Sequence, residues 1–202
     1  SLLIVFSNLT INDVILPNRI SVAPMCQYAA INGCPSNWHY GHLSQFITSG
    51  AGMLTLESTA VSLDGRITIK DLSLASGDNL ITIQKLYNFL KSINNMPIGI
   101  QISHAGRKGS SYVPWVKPNT ALSVTDGRWD TVSASCIPRD VNWPTPKKLS
   151  ISKIQQIAND FAKSAEASKI IGFEALEVHM AHGYLLHQFF SPISNKRNDE
   201  YG

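Results

Sequence analysis

The sequence has few cysteines for its 202 residues, and those it has follow no pairing pattern. Cys26, Cys34 and Cys136 are odd in number and form no Cys-x-x-Cys pair. A secreted disulfide framework needs paired cysteines, and a zinc ribbon needs closely spaced ones. We therefore expect neither, and we expect the protein to work in a reducing cytoplasm.

Charge of one sign and long apolar runs are also scarce. The net charge is only +3 and no basic run occurs, so a nucleic-acid partner is not expected. The apolar stretch 2–6 is too short to span a bilayer and lacks the charged flank of a signal peptide. We expect no membrane association, and we expect this stretch to form a first strand or hairpin.

Short apolar runs alternate with longer segments of helical periodicity along the chain. The pattern predicts strands at 20–25, 53–59, 97–102 and 175–178, and helices at about 38–48, 80–93 and 151–171. Ser150 is placed to cap the last helix and Gly172 to end it. Strands and helices in this order indicate a parallel sheet covered by helices.

An open doubly wound sheet and a barrel both fit this alternation. No G-x-G-x-x-G follows a predicted strand, which disfavours the dinucleotide-binding open sheet. Polar and reactive residues instead follow the carboxyl ends of successive strands: Cys26 and Tyr28, then Gln101 and His104, then His179 and His182. A (β/α)8 TIM barrel brings such ends to one rim, so we predict a barrel.

The segment His179-Met180-Ala181-His182-Gly183-Tyr184 carries the sharpest chemical signal. Two imidazoles just beyond a strand can both donate hydrogen bonds to one carbonyl oxygen, and a phenol can supply a proton. The same histidines could instead satisfy structural hydrogen bonds. With His187 they could also bind a metal, as in a barrel hydrolase, although the His-x-His usual after the first strand of such hydrolases is missing.

Other residues have a functional and a structural interpretation. The Gln101 amide suits the pyrimidine edge of a flavin but could pair with backbone, and Cys26 could be a small buried residue. Glu57 is interpreted as a core carboxylate. Trp115, Trp129 and Trp143 are interpreted as packing anchors of the long segment 105–149.

Read together, several strings resemble the old yellow enzyme family of NAD(P)H:flavin oxidoreductases. They lie at 16–20, 23–28, 57–61, 99–108, 179–184, 190–192 and 197–202. Cys26 with Tyr28, and two histidines before Tyr184, are similar to the branch often called thermophilic-like. The resemblance implies an FMN-dependent ene-reductase that takes hydride from NADPH or NADH and passes it to enones or nitroalkenes.

The resemblance also implies a role for each site residue. Pro24, Met25 and Cys26 would lie along the flavin, with Cys26 tuning its potential, and Ala60 and Gln101 would line it.

His179 and His182 would hold the carbonyl or nitro oxygen of the substrate. Tyr28 and Tyr184 would border the pocket, with Tyr184 as the proton donor. One departure lies at 134–139, where Arg139 replaces a phenylalanine common in the family.

The family continues well beyond residue 202. Residues 1–202 are therefore expected to be the N-terminal portion of a single FMN-binding barrel domain, about the first four of its eight β/α units. The loops that usually bind the phosphate follow strands seven and eight, outside these residues. A complementary chain or a homo-oligomer could complete the barrel. The alternative is a truncated, non-catalytic half-barrel with open strand edges.

Overall fold

A computed structural model describes residues 2–202. The helices are α1 Leu2–Val5, α2 Asn37–Ile47, α3 Gly77–Ile93, α4 Ile151–Ile171 and α5 Leu185–Phe190. The strands are β1 Leu9–Ile11, β2 Val14–Leu16, β3 Ser21–Val22, β4 Met53–Ala60, β5 Leu72–Ser73, β6 Ile98–Ser103, β7 Val132–Ser133, β8 Lys147–Lys148 and β9 Ala175–Val178. Short 3-10 turns cover Leu63–Gly65, Gly106–Lys108 and Val124–Asp126.

The main sheet has the strand order β3-β4-β6-β9, and every neighbouring pair is parallel. The helices α2, α3 and α4 connect these strands in turn, and the short β5 pairs with the end of β4. This is the succession of β/α units that a barrel requires. The predicted helices and the predicted strands at 53–59, 97–102 and 175–178 are confirmed, and the structure corresponds to part of a TIM barrel.

The amino-terminal residues depart from the sequence prediction. Leu2–Val5 is a helical turn rather than a strand, closed by Ser7, whose backbone N–H donates to the Ile4 carbonyl at 3.2 Å. The antiparallel hairpin is β1–β2, further along the chain. The strand predicted at 20–25 keeps only two residues in the sheet. Pro24 has no N–H to donate to a ladder, so the chain leaves the sheet there.

The core lies between the sheet and the helices that cover it. Ile98, Ile100 and Ile102 alternate along β6 and are almost fully buried. They pack against α3, whose predicted apolar side of Ile83, Leu86, Tyr87 and Leu90 is buried as expected. Because parallel strands in a barrel bury both faces, β6 is buried along its whole length.

Helix α4 begins and ends at the predicted residues. The Ser150 hydroxyl accepts from the Lys153 N–H at 3.3 Å, and Gly172 ends α4 in the left-handed conformation at φ 114°. Within residues 2–202, no helix is long and apolar enough to cross a membrane.

The long segment between β6 and α4 is held from one side by a buried arginine. Arg197 donates to the Ala134 carbonyl at 3.0 Å and to the Leu149 carbonyl at 2.8 Å. Its guanidinium also pairs with Asp199 at 2.6 Å. These bonds join the segment 197–202 to the long segment between β6 and α4.

Candidate active site

The carboxyl ends of β6 and β9 bring the predicted site residues together. Gln101 and Glu177 are register partners on these strands, and the Gln101 amide donates to the Glu177 carboxylate at 2.6 Å. The His179 N–H then donates to the Ile102 carbonyl at 3.0 Å, which extends the pairing by one residue. The histidine turn therefore begins on the rim directly beside Gln101.

Three rings meet in this turn. The ring centroids of His179 and His182 are 5.2 Å apart, and those of His179 and Tyr184 are 4.7 Å apart, both edge to face. His179 is buried and His182 is exposed. The structure therefore brings the three rings together, and the roles expected for them stay predictions.

The hydrogen bonds of His179 indicate which ring nitrogen carries its proton. Its Nδ1 accepts from the Ala181 N–H at 3.2 Å, so the proton of the neutral ring is on Nε2. Burial, followed by the nearby His182, lowers the pKa of His179 and favours this neutral form. The Nε2–H is therefore the donor that His179 can offer to a ligand.

Tyr28 and Tyr184 line one polar cavity of about 230 Å³. Burial, followed by the nearby Cys26 and Asp71, raises the pKa of Tyr184 to about 12. Burial also raises the pKa of Tyr28. Both phenols therefore keep their protons at neutral pH.

Cys26 lies against Tyr28, with its thiol within hydrogen-bonding range of the phenol. Burial, followed by the carboxylates of Asp71 and Glu57, raises the pKa of the thiol. A protonated thiol is a poor nucleophile. This environment therefore disfavours a nucleophilic role for Cys26.

Left-handed backbone is concentrated around the cavity. Tyr28 has φ 48° and His182 has φ 56°, and two further non-glycine residues with positive φ, Ser110 and Asn119, lie in or beside the wall. Side chains with a Cβ rarely adopt this region, and such residues cluster at functional sites.

Gln188 of α5 ties two rim loops together. Its buried amide donates to the Gly183 carbonyl at 2.7 Å and to the Ala105 carbonyl at 3.3 Å. The first carbonyl belongs to the histidine turn and the second to the turn after β6. Sequence patterns alone could not identify Gln188, because one of its two bonds joins it to the Ala105 carbonyl, 83 positions away in the chain.

The predicted flavin-lining residues occupy one side of the rim. Ala60 and Gln101 are buried at the ends of β4 and β6, Pro24 and Cys26 are half-buried, and Met25 is exposed. Ala60 is the register partner of Ser103 on β6, two residues from Gln101. The five residues come from three neighbouring strand ends of the sheet.

The other predicted interpretations have mixed outcomes. Glu57 is buried with His39 Nε2 at 3.5 Å, as expected of a core carboxylate. Trp143 is buried, and Trp129 donates to the Asp64 carbonyl at 3.0 Å, so both anchor the loop. Trp115 is 67% exposed rather than buried by the loop, and its ring packs edge-on against Tyr28 with the centroids 5.6 Å apart.

Two cations at the site have no role assigned from the sequence. Lys108 donates to the His182 carbonyl at 2.6 Å, and its Nζ lies 4.8 Å from the centroid of the Tyr184 ring. Arg139 lines the same cavity. Lys108 carried a usable signal, since it follows a strand end.

The third histidine of the metal interpretation has a structural role. His187 Nδ1 accepts from the Gly183 N–H at 2.8 Å and so closes the histidine turn. Among the described residues, no group of three or more His, Cys, Asp or Glu side chains is arranged to hold a metal ion.

Comparison with known proteins defines the class to which this fold and site belong. The chain belongs to the NADH:flavin oxidoreductase / NADH oxidase family, whose model matches residues 4–202. It is 42% identical over 202 residues to an NADH:flavin oxidoreductase of Gibberella zeae, covering 98% of this chain and 48% of the relative. It is 38% identical over 199 residues to an NADPH dehydrogenase of Bacillus cytotoxicus, covering 98% of this chain and 53% of that protein.

Solved structures confirm the fold. Morphinone reductase matches with a TM-score of 0.83 at 22% identity, covering 98% of this chain and 53% of that one. An old yellow enzyme homologue from Zymomonas mobilis matches with a TM-score of 0.81 at 21% identity, covering 98% and 54%. The predicted resemblance to old yellow enzymes is confirmed. The chain spans about half the length of the relatives it matches.

Proposed function

We propose that this chain supplies the substrate-facing part of an FMN-dependent reductase of activated alkenes, such as α,β-unsaturated carbonyl or nitro compounds. One observation carries the proposal: the rings of His179, His182 and Tyr184 meet beside the cavity that Tyr28 also lines. The family consists of flavin oxidoreductases, which makes FMN and NADPH or NADH the expected cofactors.

The residues at the rim fit a flavin. The Gln101 amide donates one of its two N–H hydrogens to Glu177. Its second N–H and its carbonyl oxygen give a donor and an acceptor for a pyrimidine edge. Ala60 presents a small side chain, and the protonated Cys26 adds no negative charge. Pro24, Met25, Cys26, Ala60 and Gln101 would hold the ring. When bound, FMN supplies hydride that it has received from NADPH or NADH.

The substrate oxygen would be bound by the histidines. The Nε2–H of His179 and a ring N–H of His182 donate to the carbonyl or nitro oxygen and draw electron density from the conjugated alkene. The β-carbon then becomes electrophilic enough to accept hydride. Tyr184 keeps its proton at neutral pH and donates it to the α-carbon.

We further propose that residues 1–202 are the N-terminal portion of a single FMN-binding barrel domain in the cytoplasm. Two observations support this: the chain spans about half of its relatives, and Cys26, Cys34 and Cys136 are all free thiols. The remaining strands, in the same or a second polypeptide, would supply the phosphate site.

A visible absorption spectrum of the purified protein, with and without added FMN, tests the cofactor. A bound flavin absorbs at about 450 nm, and its absorption bands shift when the ring moves from water into a protein site. Saturable binding is expected. The rival is a non-catalytic half-barrel, which is favoured by the exposed outer face of β9, where Leu176 and Val178 are each 41% exposed. A protein that shifts no absorption band of the added FMN, even at high FMN concentration, supports that rival instead.

Removing the histidine donors tests the chemistry. For the flavin-loaded protein, we expect His179→Ala and His182→Ala each to lower kcat/KM for an enone by about a hundredfold, because each removes one donor to the developing negative charge. His182→Asn keeps an amide donor and should retain more activity than His182→Ala.

Asn88→Ala serves as the control, because Asn88 is exposed on α3, which packs on the outer face of the sheet. The assignment fails if the two rim variants and this control show the same enone kinetics while FMN remains bound.

A further inference from the structure

The polar cavity beside the candidate active site has a strongly basic wall. Tyr28 and Tyr184 form its inner side, and Lys108, Asn119 and Arg139 form the outer side. None of the residues that line it is an aspartate or glutamate. A concave site with cations and without carboxylates attracts anions.

Lys108 and Arg139 each keep N–H donors beyond those in their observed hydrogen bonds to the protein. Lys108 donates to the His182 carbonyl at 2.6 Å, and Arg139 donates through Nη2 to the Asn119 amide oxygen at 3.0 Å. An ammonium and a guanidinium each carry more N–H groups than these bonds require. The remaining N–H groups are the donors that an oxyanion in the cavity would receive.

No carboxylate within residues 2–202 forms an ion pair with either cation. Burial, followed by the neighbouring Arg139 and Arg107, lowers the pKa of Lys108. Asp71 is a buried acid, and its carboxyl is engaged by the Ile67 N–H at 2.6 Å and the Thr68 hydroxyl at 2.7 Å. The like charges therefore stay uncompensated until an anion binds.

Arg107 holds Arg139 in place. Its Nη1 donates to the carbonyls of Ile137 and Pro138 at 3.1 and 3.2 Å, directly before Arg139 in the chain. The guanidinium of Arg139 also lies 4.5 Å from the ring centroid of the buried Trp143. A cation fixed before binding loses little conformational entropy when it captures a ligand.

Building on the proposed function, we propose that this cavity binds an oxyanion carried by one of the reactants, with Arg139 as the specificity-determining residue and Lys108 as its partner. The oxyanion is a carboxylate on the alkene or a phosphate of the nicotinamide nucleotide. Either would be held beside Tyr184 while the reacting group lies between the two histidines.

Calorimetric titration tests the anion site without relying on turnover. The probes are 4-hydroxybenzoate and its neutral counterpart 4-hydroxybenzamide, added to the FMN-supplemented protein at one fixed ionic strength. We expect the unmodified protein to bind the anion about tenfold more tightly, as charge-assisted hydrogen bonds imply. Arg139→Gln should remove that preference.

Arg19→Gln is the matched control, because it removes the same charge from an exposed position at the other end of β3. It should keep the preference. Equal affinities of the unmodified protein for the two probes, or an unchanged preference in Arg139→Gln, overturn the proposal.

Steady-state kinetics then identify which reactant carries the anion. If the alkene carries it, Arg139→Gln should lower by about tenfold the ratio of kcat/KM for a carboxylated enone to that for its neutral amide. If the nucleotide carries it, the variant should instead raise the KM for NADPH by a similar factor. An Arg139→Gln protein with neither change overturns the proposal. A protein that reduces neither alkene but still prefers 4-hydroxybenzoate contradicts only the proposed activity.

Discussion

Strands β6 and β9 are neighbours with similar apolar residues and very different surroundings. Ile100 and Ile102 on β6 are buried, whereas their register partners Leu176 and Val178 on β9 are each 41% exposed. β6 is paired along both edges, to β4 and β9, and α3 packs on its outer face, whereas β9 is paired along one edge only within the described residues. The burial of a strand is thus set by its neighbours rather than by its own sequence.

The exposed face continues onto the helices beside β9. A cavity of about 280 Å³ lies between α4 and α5 and has an almost entirely apolar lining that includes Ile154, Ile157, Phe161 and Met180. Nearby Phe190 is 67% exposed. The carboxyl-terminal part of the chain therefore contributes less to stability per apolar residue than β4, β6 and the helices α2 and α3.

A matched pair of truncations measures this difference most directly. Ile100→Ala should lower the free energy of unfolding by about 4 kcal/mol, because it leaves a cavity in a closed core, and Leu176→Ala by about 1 kcal/mol. Ile100 and Leu176 are register partners on neighbouring parallel strands, so their side chains lie side by side on the same face of the sheet. Urea denaturation followed by circular dichroism provides both values. Equal losses would mean that the face of β9 is covered in solution.

The pH dependence of stability separates a buried carboxyl from an exposed one. Burial raises the pKa of Asp71 from 3.8 to about 7, so between these values the folded state binds a proton that the unfolded state has released. Stability should therefore fall as pH rises from about 4 to about 7, by about 3 kcal/mol. Asp71→Asn should flatten this fall. The exposed Glu177→Gln in β9 is the control and should leave the slope in place; a slope shared by all three proteins would rule out Asp71 as its source.

A single hydrogen bond joins α3 to the turn before β9, and its removal should give the smallest change in the free energy of unfolding. The Tyr87 hydroxyl of α3 donates to the Gly172 carbonyl at 2.6 Å, at the turn into β9. Tyr87→Phe keeps the edge-on contact with Phe173 and should cost about 1 kcal/mol of unfolding free energy.

Tyr40→Phe is the control for this variant, because its ring packs edge-on against Phe89 at the same 5.0 Å centroid distance. Thermal denaturation compares the two. A cost for Tyr40→Phe as large as that for Tyr87→Phe would mean that the bond to Gly172 adds nothing.

Most of the sheet and its covering helices could be predicted because their signals are local. The apolar period of α3 and the cap residues Ser150 and Gly172 are read within a few positions of each other. The early end of β3 was missed although its signal is local, since Pro24 lacks the N–H that a strand ladder needs. The helical turn 2–5 was missed because a short apolar run has no period that separates a strand from a helical turn.

The site was predictable in part for the same reason. His179, His182 and Tyr184 lie within one turn, so the sequence itself brings them together. Gln188 depends in part on a distant partner, the Ala105 carbonyl, and Trp115 contacts Tyr28 across 87 positions of the chain (115 − 28). Arg139 stood out only as a departure from the family string, without an indication of what it would contact.

The left-handed backbone at Tyr28 and His182 has a consequence for how this protein can change over generations. Each of these residues carries a conformational cost of about 1 kcal/mol, which glycine would largely relieve and asparagine would reduce. Random substitution at either position can therefore make the chain more stable while it removes a group from the site. Retention of both side chains in natural variants would mark purifying selection on the chemistry, whereas a copy of the gene released from selection should accumulate glycine or asparagine at these two codons early.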